Sequence, residues 1–311
     1  MKKILVIKHG SLGDIIFSLD AMYAIRKKYP NSLIHLLTEK KYISLFKKSR
    51  FFDKIIEDDR KIIFLKTIFN LLKLLKENYN TVIDLQNSQR TLIYNLFFRL
   101  FDNSLICSSK YFAHLRYNIP IQGKESVRLG LSNQLKLLKI YIEETAHFDW
   151  LKVNLNDDLI DTPTVLFIPG VSPGNKYKQW QPEKFAEVAK YCELKKYRIC
   201  IVGTKLDLYC AQPILSECKN VLNKINSSPP EVIYSIALKS TLIFSNDTGP
   251  GHIASLANNH MIWILNDNNV SKANIINNEV NHKITSDSVR NISSKLVIQY
   301  IEKNNLLKTF N

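Results

Sequence analysis

The sequence has no uninterrupted apolar run of eighteen residues, so it predicts no transmembrane helix. Its five cysteines form no Cys-x-x-Cys pair and no zinc-like spacing. An odd number of cysteines, spread mostly through apolar segments, favours reduced thiols in the core of a cytoplasmic protein. The first apolar run is broken at once by Lys8 and His9, so it predicts a core strand and not a secretory leader.

Two nucleotide-binding signatures are also missing. No Gly-x-Gly-x-x-Gly follows a predicted strand, which removes the main support for a dehydrogenase. No Gly-Lys-Ser/Thr completes a phosphate-binding loop of the Walker type. Internal repeats of solenoid period are absent as well.

Negative charge is scarce, since 43 Lys and Arg stand against 28 Asp and Glu, giving a net charge of +15. Most of the excess lies in residues 1–160, which hold 26 basic and 16 acidic residues, and residues 40–66 are especially basic. Such a surface predicts an anionic partner, either a membrane face or a phosphorylated glycan. No aromatic-interleaved nucleic-acid motif accompanies the charge, so we expect no nucleic-acid partner. A simply solvated Lys-rich surface is the alternative.

Short apolar runs alternate with amphipathic segments through both halves of the chain, which predicts βαβ units and parallel sheets. In the first half, strands are predicted at 3–8, 33–37, 54–57, 81–85 and 104–107, and helices at 15–28, 67–77 and 90–101. In the second half, strands are predicted at 164–168, 197–202, 221–225, 241–245 and 261–265, and helices at 182–195, 206–217, 230–238, 251–258 and 292–301. A polar stretch at 146–163 marks the boundary, giving domains 1–155 and 156–311, and the last helix is expected to pack back on the first domain.

The first chemical motif is Gly-Ser-Leu-Gly-Asp at residues 10–14, directly after the first strand. Two glycines in a strand-to-helix turn let the backbone approach a ligand closely. Asp14 then lies at the helix start, where a carboxylate beside a cleft is well placed as a general base. A plain helix-capping role for Asp14 is the alternative.

The second motif is Asn-Asp-Thr-Gly-Pro-Gly-His at residues 246–252, again between a strand and a helix. Free backbone N–H groups and a positive helix end at such a junction suit a diphosphate. Asp247, Thr248, Gly249 and His252 are therefore candidate ligand-binding residues. An Asp-Thr cap and a core histidine are the alternatives.

Two further loops follow strands of the second half. In the Gly/Pro/Ser loop at 169–182, Lys176 or Lys178 is expected to meet a phosphate as a point charge. Trp180 is expected to pack on the helix that follows. At the end of the next strand, Asp207 could meet a ribose hydroxyl or simply cap its helix.

Together these segments resemble the heptosyltransferase family, glycosyltransferase family 9, of lipopolysaccharide core synthesis. The resemblance rests on Gly13-Asp14, the segment 82–91, the Lys-x-Trp-x-Pro at 178–182, Gly203 with Asp207, and the Asp-Thr-Gly-x-x-His beginning at Asp247. They occur in family order from residue 4 to about residue 258.

The resemblance implies a GT-B fold, an α/β architecture of two Rossmann-like parallel-sheet domains facing a central cleft. The second domain would bind a nucleotide-sugar donor, usually ADP-heptose, and the first an anionic glycolipid acceptor. Asp14 would be the catalytic base, and Lys178 would stabilise the leaving diphosphate. The donor-side residues would be Lys176, Lys178, Asp207, Asp247, Thr248, Gly249 and His252, and the acceptor-side residues Ser11, Gly13, Gln86 and Arg90. Transfer would invert the anomeric centre with no metal and no other cofactor, in the cytoplasm at the inner membrane face.

Two alternatives stay open. Residues 265–269 replace a turn that lies near the donor in this family, so another nucleotide sugar could serve a capsule, O-chain or glycoprotein acceptor. A nucleotide-sugar-binding protein without catalysis is the other alternative, although Asp14, Asp247 and His252 are all present.

Overall fold

The computed structural model describes residues 1–59, 64–120, 125–155, 162–269 and 279–308. The chain divides into two compact units, Met1–Trp150 and Leu151–Asn311. This division falls five residues before the predicted boundary, inside the polar stretch at 146–163. Residues 156–161 of that stretch, and residues 60–63 of the basic segment, lie outside the described part of the chain.

The first unit is a six-stranded parallel sheet with helices. Its strands are β1 (Lys3–Ile7), β2 (Leu33–Thr38), β3 (Lys54–Glu57), β4 (Thr81–Asp84), β5 (Leu105–Ser108) and β6 (Leu115–Arg116). Its helices are α1 (Leu12–Phe17), α2 (Leu19–Lys28), α3 (Ile43–Lys47), α4 (Phe64–Leu75), α5 (Gln89–Phe101) and α6 (Val127–Lys136). The strand order is β3-β2-β1-β4-β5-β6, with every pairing parallel.

The predicted helix at 15–28 is in fact two helices, because the chain breaks at Ser18. The Ser18 hydroxyl donates to the Ile15 carbonyl over 2.7 Å, and its backbone N–H donates to the same carbonyl over 3.1 Å. A serine that bonds back to the preceding turn competes with the helical hydrogen bonds. Just beyond the break, buried Asp20 accepts the Ala146 N–H at 2.7 Å and pairs with Arg128 of α6.

The second unit repeats this architecture. Its strands are β7 (Thr164–Ile168), β8 (Arg198–Gly203), β9 (Val221–Ile225), β10 (Ser240–Asn246), β11 (Met261–Asn266) and β12 (Asn281–Ser286). Its helices are α7 (Pro182–Leu194), α8 (Leu208–Glu217), α9 (Pro230–Lys239), α10 (Gly249–Ser255) and α11 (Ser294–Lys303). The order is β12-β11-β10-β7-β8-β9, all parallel, which is the first sheet's order read from the other edge.

The core of the second unit explains the position of Trp180. Its indole is fully buried, lies edge-on to Phe185 of α7 at 4.8 Å, and donates to the Ile292 carbonyl over 2.9 Å. The expected packing on the following helix is therefore present. Helix α11 packs against α7 and adds Val297 and Ile301 to the same core. A return of this helix to the first domain stays a prediction.

Both sheets confirm the predicted α/β class. In each, the order changes direction between the first and fourth strands of the unit, β1 beside β4 and β7 beside β10. Ligands of open parallel sheets bind at such a switch point, beyond the carboxyl ends of the strands. Among the described residues, no helix has both the length and the apolarity to cross a bilayer.

Candidate active site

The switch point of the second unit is held together by the buried amide of Asn246, at the end of β10. Its Nδ2 donates to the Pro169 carbonyl over 2.8 Å, and its Oδ1 accepts the Trp180 N–H at 3.1 Å. Gln179 donates to the same Pro169 carbonyl over 2.6 Å. The loop that leaves β7 is thus fixed against the end of β10, with the short 3₁₀ turn Lys176–Lys178 at its centre.

This arrangement brings Lys178 and His252 to the two oxygens of Asp247. Lys178 Nζ lies 2.6 Å from Oδ2, and His252 Nε2 lies 3.2 Å from Oδ1. Burial alone raises the pKa of Asp247, but the hydrogen bonds from His252 and Lys178 outweigh it and hold the pKa below its usual value. Asp247 is therefore an ionised anchor that orients two donors at the switch point.

The start of α10 leaves backbone groups available beside this triad. Thr248 is the N-cap residue in an extended conformation, and its side chain makes no capping bond to the helix. Gly251 allows close packing one turn further on, since a Cβ there would lie 2.4 Å from Ser245 Oγ and 2.9 Å from the Trp263 ring. The His252 ring packs on the same indole, with centroids 5.0 Å apart.

Among the described residues, neither Lys176 nor Asp207 makes a hydrogen bond or ion pair with the triad. Lys176 lines a separate cavity of about 290 Å³ with Gln179, Gln181, Pro182, Tyr209 and Arg290. Asp207 closes a capping box, accepting the Thr204 N–H at 2.7 Å and the Thr204 hydroxyl at 2.8 Å. Gly170 lies against this carboxylate so closely that a Cβ would come within 2.1 Å of its Oδ1. Asp207 thus takes the capping role that the sequence left open.

The first unit has a matching capping box at Asp14. Its Oδ2 accepts the Ser11 N–H and the Ser11 hydroxyl, each at 2.8 Å, while the Asp14 N–H donates back to Ser11 Oγ over 3.3 Å. Gly13 is buried in the first turn of α1. Gly10, with φ +112°, passes so close that a Cβ would lie 2.7 Å from Oδ2. Asp14 Oδ1 has no hydrogen-bond partner among the described residues, so half of this partly exposed carboxylate remains available.

A buried lysine stands next to this carboxylate. Lys8 is 3% exposed and donates to the Leu85 carbonyl over 3.2 Å, across the gap between β1 and β4. Burial lowers the pKa of Lys8, and the charges of Asp14 and Asp84 oppose that shift. The lysine thus places a buried amine beneath the first switch point.

The other acceptor-side candidates are Gln86 and Arg90. Gln86 Oε1 accepts the His9 N–H at 3.1 Å. Arg90, from the first turn of α5, pairs with Asp58, with Nη2 2.9 Å from Oδ1. The Tyr94 hydroxyl donates to Asp58 Oδ2 over 2.6 Å, and His9 Nε2 lies 3.1 Å from the same oxygen.

Asp58 is 4% exposed, and burial alone would raise its pKa. The contacts with His9, Arg90 and Tyr94 prevail, so its pKa lies well below the usual range. We call these four residues the Asp58 cluster. It is an ionised group that fixes Arg90 at the edge where β1 and β3 end.

Sequence reasoning missed Asn246, Lys8 and the three other members of the Asp58 cluster, which are Asp58, His9 and Tyr94. Asn246 and Lys8 carried a signal, since each is a polar residue that ends a predicted buried strand. Asp58 follows a predicted strand but stands in an acidic run, Glu-Asp-Asp at 57–59, that gives no reason to single it out. Within the described ranges, no three His, Cys, Asp or Glu side chains are grouped to hold a metal ion. Metal independence stays a prediction.

Two Rossmann-like parallel sheets of this order, each with polar groups at its switch point, make up the GT-B fold. Residues 125–289, more than half of the chain, match the model of glycosyltransferase family 9 (heptosyltransferase). The chain belongs to that family, as the motifs predicted, and is a glycosyltransferase.

Similarity to individual proteins supports this family assignment. The chain is 28% identical to lipopolysaccharide heptosyltransferase 1 of Campylobacter coli, over 84% of this chain and 83% of that protein. Its fold is similar to that of the E. coli ADP-heptose lipopolysaccharide heptosyltransferase II, with a TM-score of 0.75 at 17% identity over 98% of both chains. It is also similar to E. coli heptosyltransferase WaaC with ADP-2-deoxy-2-fluoro heptose, with a TM-score of 0.77 at 16% identity over 97% of this chain and 99% of the other.

Proposed function

We propose that this glycosyltransferase moves heptose from ADP-heptose to a lipopolysaccharide-type glycan, with inversion at the anomeric carbon and without a metal ion. The observation that carries the proposal is the Lys178–Asp247–His252 triad at the second switch point, together with the available Asp14 carboxylate at the first. Family membership supports the sugar, and the WaaC structure, which holds an ADP-heptose analogue, supports the nucleotide.

On the acceptor side, a sugar hydroxyl must lose its proton as it attacks the anomeric carbon. Asp14 supplies a carboxylate for this step, because the capping box occupies only Oδ2. A positioned general base of this kind contributes roughly 10²–10⁴-fold in rate. Lys8 adds a buried amine near Asp14, and we assign Gln86 and Arg90 to orient the acceptor.

On the donor side, a nucleoside diphosphate leaves with growing negative charge. Lys178 Nζ supplies the positive charge, and Asp247 holds it in position before the donor arrives. The backbone N–H groups at Thr248 and Gly249 add donors at the start of α10. A preorganised donor in such a site is worth about 2.7–4 kcal/mol in the transition state.

The acceptor we propose is an anionic glycolipid, reached by peripheral contact with the inner face of the cytoplasmic membrane. The excess of positive charge in residues 1–160 supports this contact. All five cysteines are buried and free, as suits a reducing compartment.

The test is calorimetric titration of the protein with ADP, UDP, GDP and CDP in the presence of EDTA, followed by a transfer assay with ADP-heptose. Selective binding of ADP and a product of inverted configuration are expected. Preference for another nucleotide would replace the donor and favour the capsule or glycoprotein alternative. Nucleotide-sugar binding with no product from any acceptor would favour the non-catalytic alternative.

A further inference from the structure

Helices α4 and α5 lie side by side on one face of the first sheet. Leu71 and Leu74 of α4, and Tyr94 and Phe98 of α5, are buried in one cluster with the strand residues beneath them. These inward positions satisfy the core, so each helix presents its opposite side to the outside.

The outward positions are apolar as well. On α4, Phe69 is 55% exposed and Leu72 is 47% exposed. On α5, Leu100 and Phe101 are 65% and 64% exposed, and Ile93 follows at 47%. We call this surface the α4–α5 face. Scattered exposed apolar residues are ordinary, but five large ones on two adjacent helices mark an interaction surface.

The charges on these helices have one sign. Lys73, Lys76 and Arg99 are exposed, and Lys73 Nζ lies 4.4 Å from the Phe69 ring centroid. Residues 64–102 contain three acidic residues, Glu77, Asp84 and Asp102. Glu77 is paired with Lys3 and Lys54, Asp84 is buried, and Asp102, the C-cap of α5, is only partly exposed, so exposed cations predominate on these helices.

We propose that the α4–α5 face docks on an anionic bilayer, with its large apolar side chains entering the headgroup region and its cations meeting lipid phosphates. Interfacial membrane helices combine large apolar residues with Lys and Arg, as this face does. A protein partner or a second copy would not require a face of one charge sign. Helix α5 also carries Arg90 in its first turn, so the proposed acceptor side and this surface share one helix.

This inference rests on the membrane contact proposed above and names the surface that makes it. The experiment is co-sedimentation of the full chain with vesicles of phosphatidylglycerol and phosphatidylcholine, and with vesicles of phosphatidylcholine alone. The double variant L100Q/F101Q removes the two most exposed apolar residues of the face. The matched control is L194Q/L206Q in the second unit, where the side chains are 72% and 69% exposed.

We expect wild type and control to partition alike on anionic vesicles, and L100Q/F101Q to bind at least ~10-fold more weakly, since two large side chains no longer bury apolar surface in the headgroup region. Melting temperature and ADP affinity should not change, because neither residue belongs to the core or the donor site. As a direct reading of insertion, Trp introduced by F101W should be quenched by brominated lipid, and Trp introduced by L194W should not.

Three results would overturn the inference. If L100Q/F101Q binds vesicles like wild type, the membrane contact stands but another surface makes it. If wild type does not bind anionic vesicles, the proposed membrane contact is wrong as well. ADP binding and transfer to a detergent-dispersed acceptor would still test the donor chemistry. If sedimentation shows that wild type is a dimer and L100Q/F101Q is a monomer, the α4–α5 face binds a second copy.

Discussion

The two units share one strand order but equip their switch points differently. Each has a Ser or Thr to Asp capping box beneath a glycine, Ser11 with Asp14 and Thr204 with Asp207. In the first unit the buried acid, Asp58, binds the arginine, and a second carboxylate is left with an available oxygen. In the second unit a partly buried acid, Asp247, holds a lysine and a histidine.

The comparison shows that two sheets of the same strand order carry different sets of charged side chains at their switch points. The capping boxes are equivalent, so capping alone does not distinguish Asp14 from Asp207. The two carboxylates differ in their surroundings. Lys8 lies near Asp14, whereas Asp207 packs closely against Gly170.

The largest expected effect separates the two capping boxes. Asp14→Asn should lower kcat by roughly 10²–10⁴-fold, because an amide cannot take the acceptor proton but still accepts the capping bonds. ADP affinity by calorimetry should be unchanged. The matched variant Asp207→Asn keeps its cap and should leave kcat near wild type. Equal losses in both variants would make Asp14 a structural cap.

The next effect separates the two lysines of the 169–182 loop. Lys178→Ala should cost about 10²–10³-fold in kcat, as expected for loss of one preorganised donor to the leaving group. Lys176→Ala, which alters the neighbouring cavity, should leave kcat within a few-fold. Steady-state transfer rates decide this, and a larger loss at Lys176 would exchange the two roles.

A smaller effect concerns the Asp58 cluster and appears in stability. Asp58→Asn should lower the free energy of unfolding by roughly 1.5–3 kcal/mol, because it replaces charge-assisted hydrogen bonds to Arg90 and Tyr94 with neutral ones. Urea denaturation measures the loss. The exposed pair of Glu144 with Lys27 provides the control, and Glu144→Gln should leave the transition unmoved. A similar loss in both variants would contradict a special role for the buried cluster.

The smallest expected effect is the pH dependence of folding stability that Asp58 and Asp247 contribute. The pKa values of Asp58 and Asp247 are lower in the folded chain than the ordinary value of about 3.9. Their contributions are therefore fully present above that value and are lost as the pH falls through the folded pKa. Differential scanning calorimetry from pH 5 to about pH 2 should show wild type losing stability faster than Asp58→Asn or Asp247→Asn. Parallel curves would mean that these pKa values are not shifted by folding.

The order of strands and helices followed from apolar periodicity, and the site residues followed from polar groups at strand ends. What periodicity could not supply was side-chain pairing across the fold. Asp58 meets Arg90 32 residues away only because β3 ends and α5 begins at one edge of the sheet. Lys176 and Lys178 looked equivalent in the sequence, but two residues in a 3₁₀ turn of three residues per turn point in different directions.

The separation of Lys178 from Asp247 along the chain is 69 residues, and β7 and β10 must pair before they meet. Closing so long a loop is entropically unfavourable until other strands have docked, so this contact belongs among the late events of folding. A chain that misregisters its central strands therefore has no assembled triad. If the triad binds the donor as proposed, nucleotide binding reports on completed folding, and a nascent or damaged copy of the enzyme would not bind its donor.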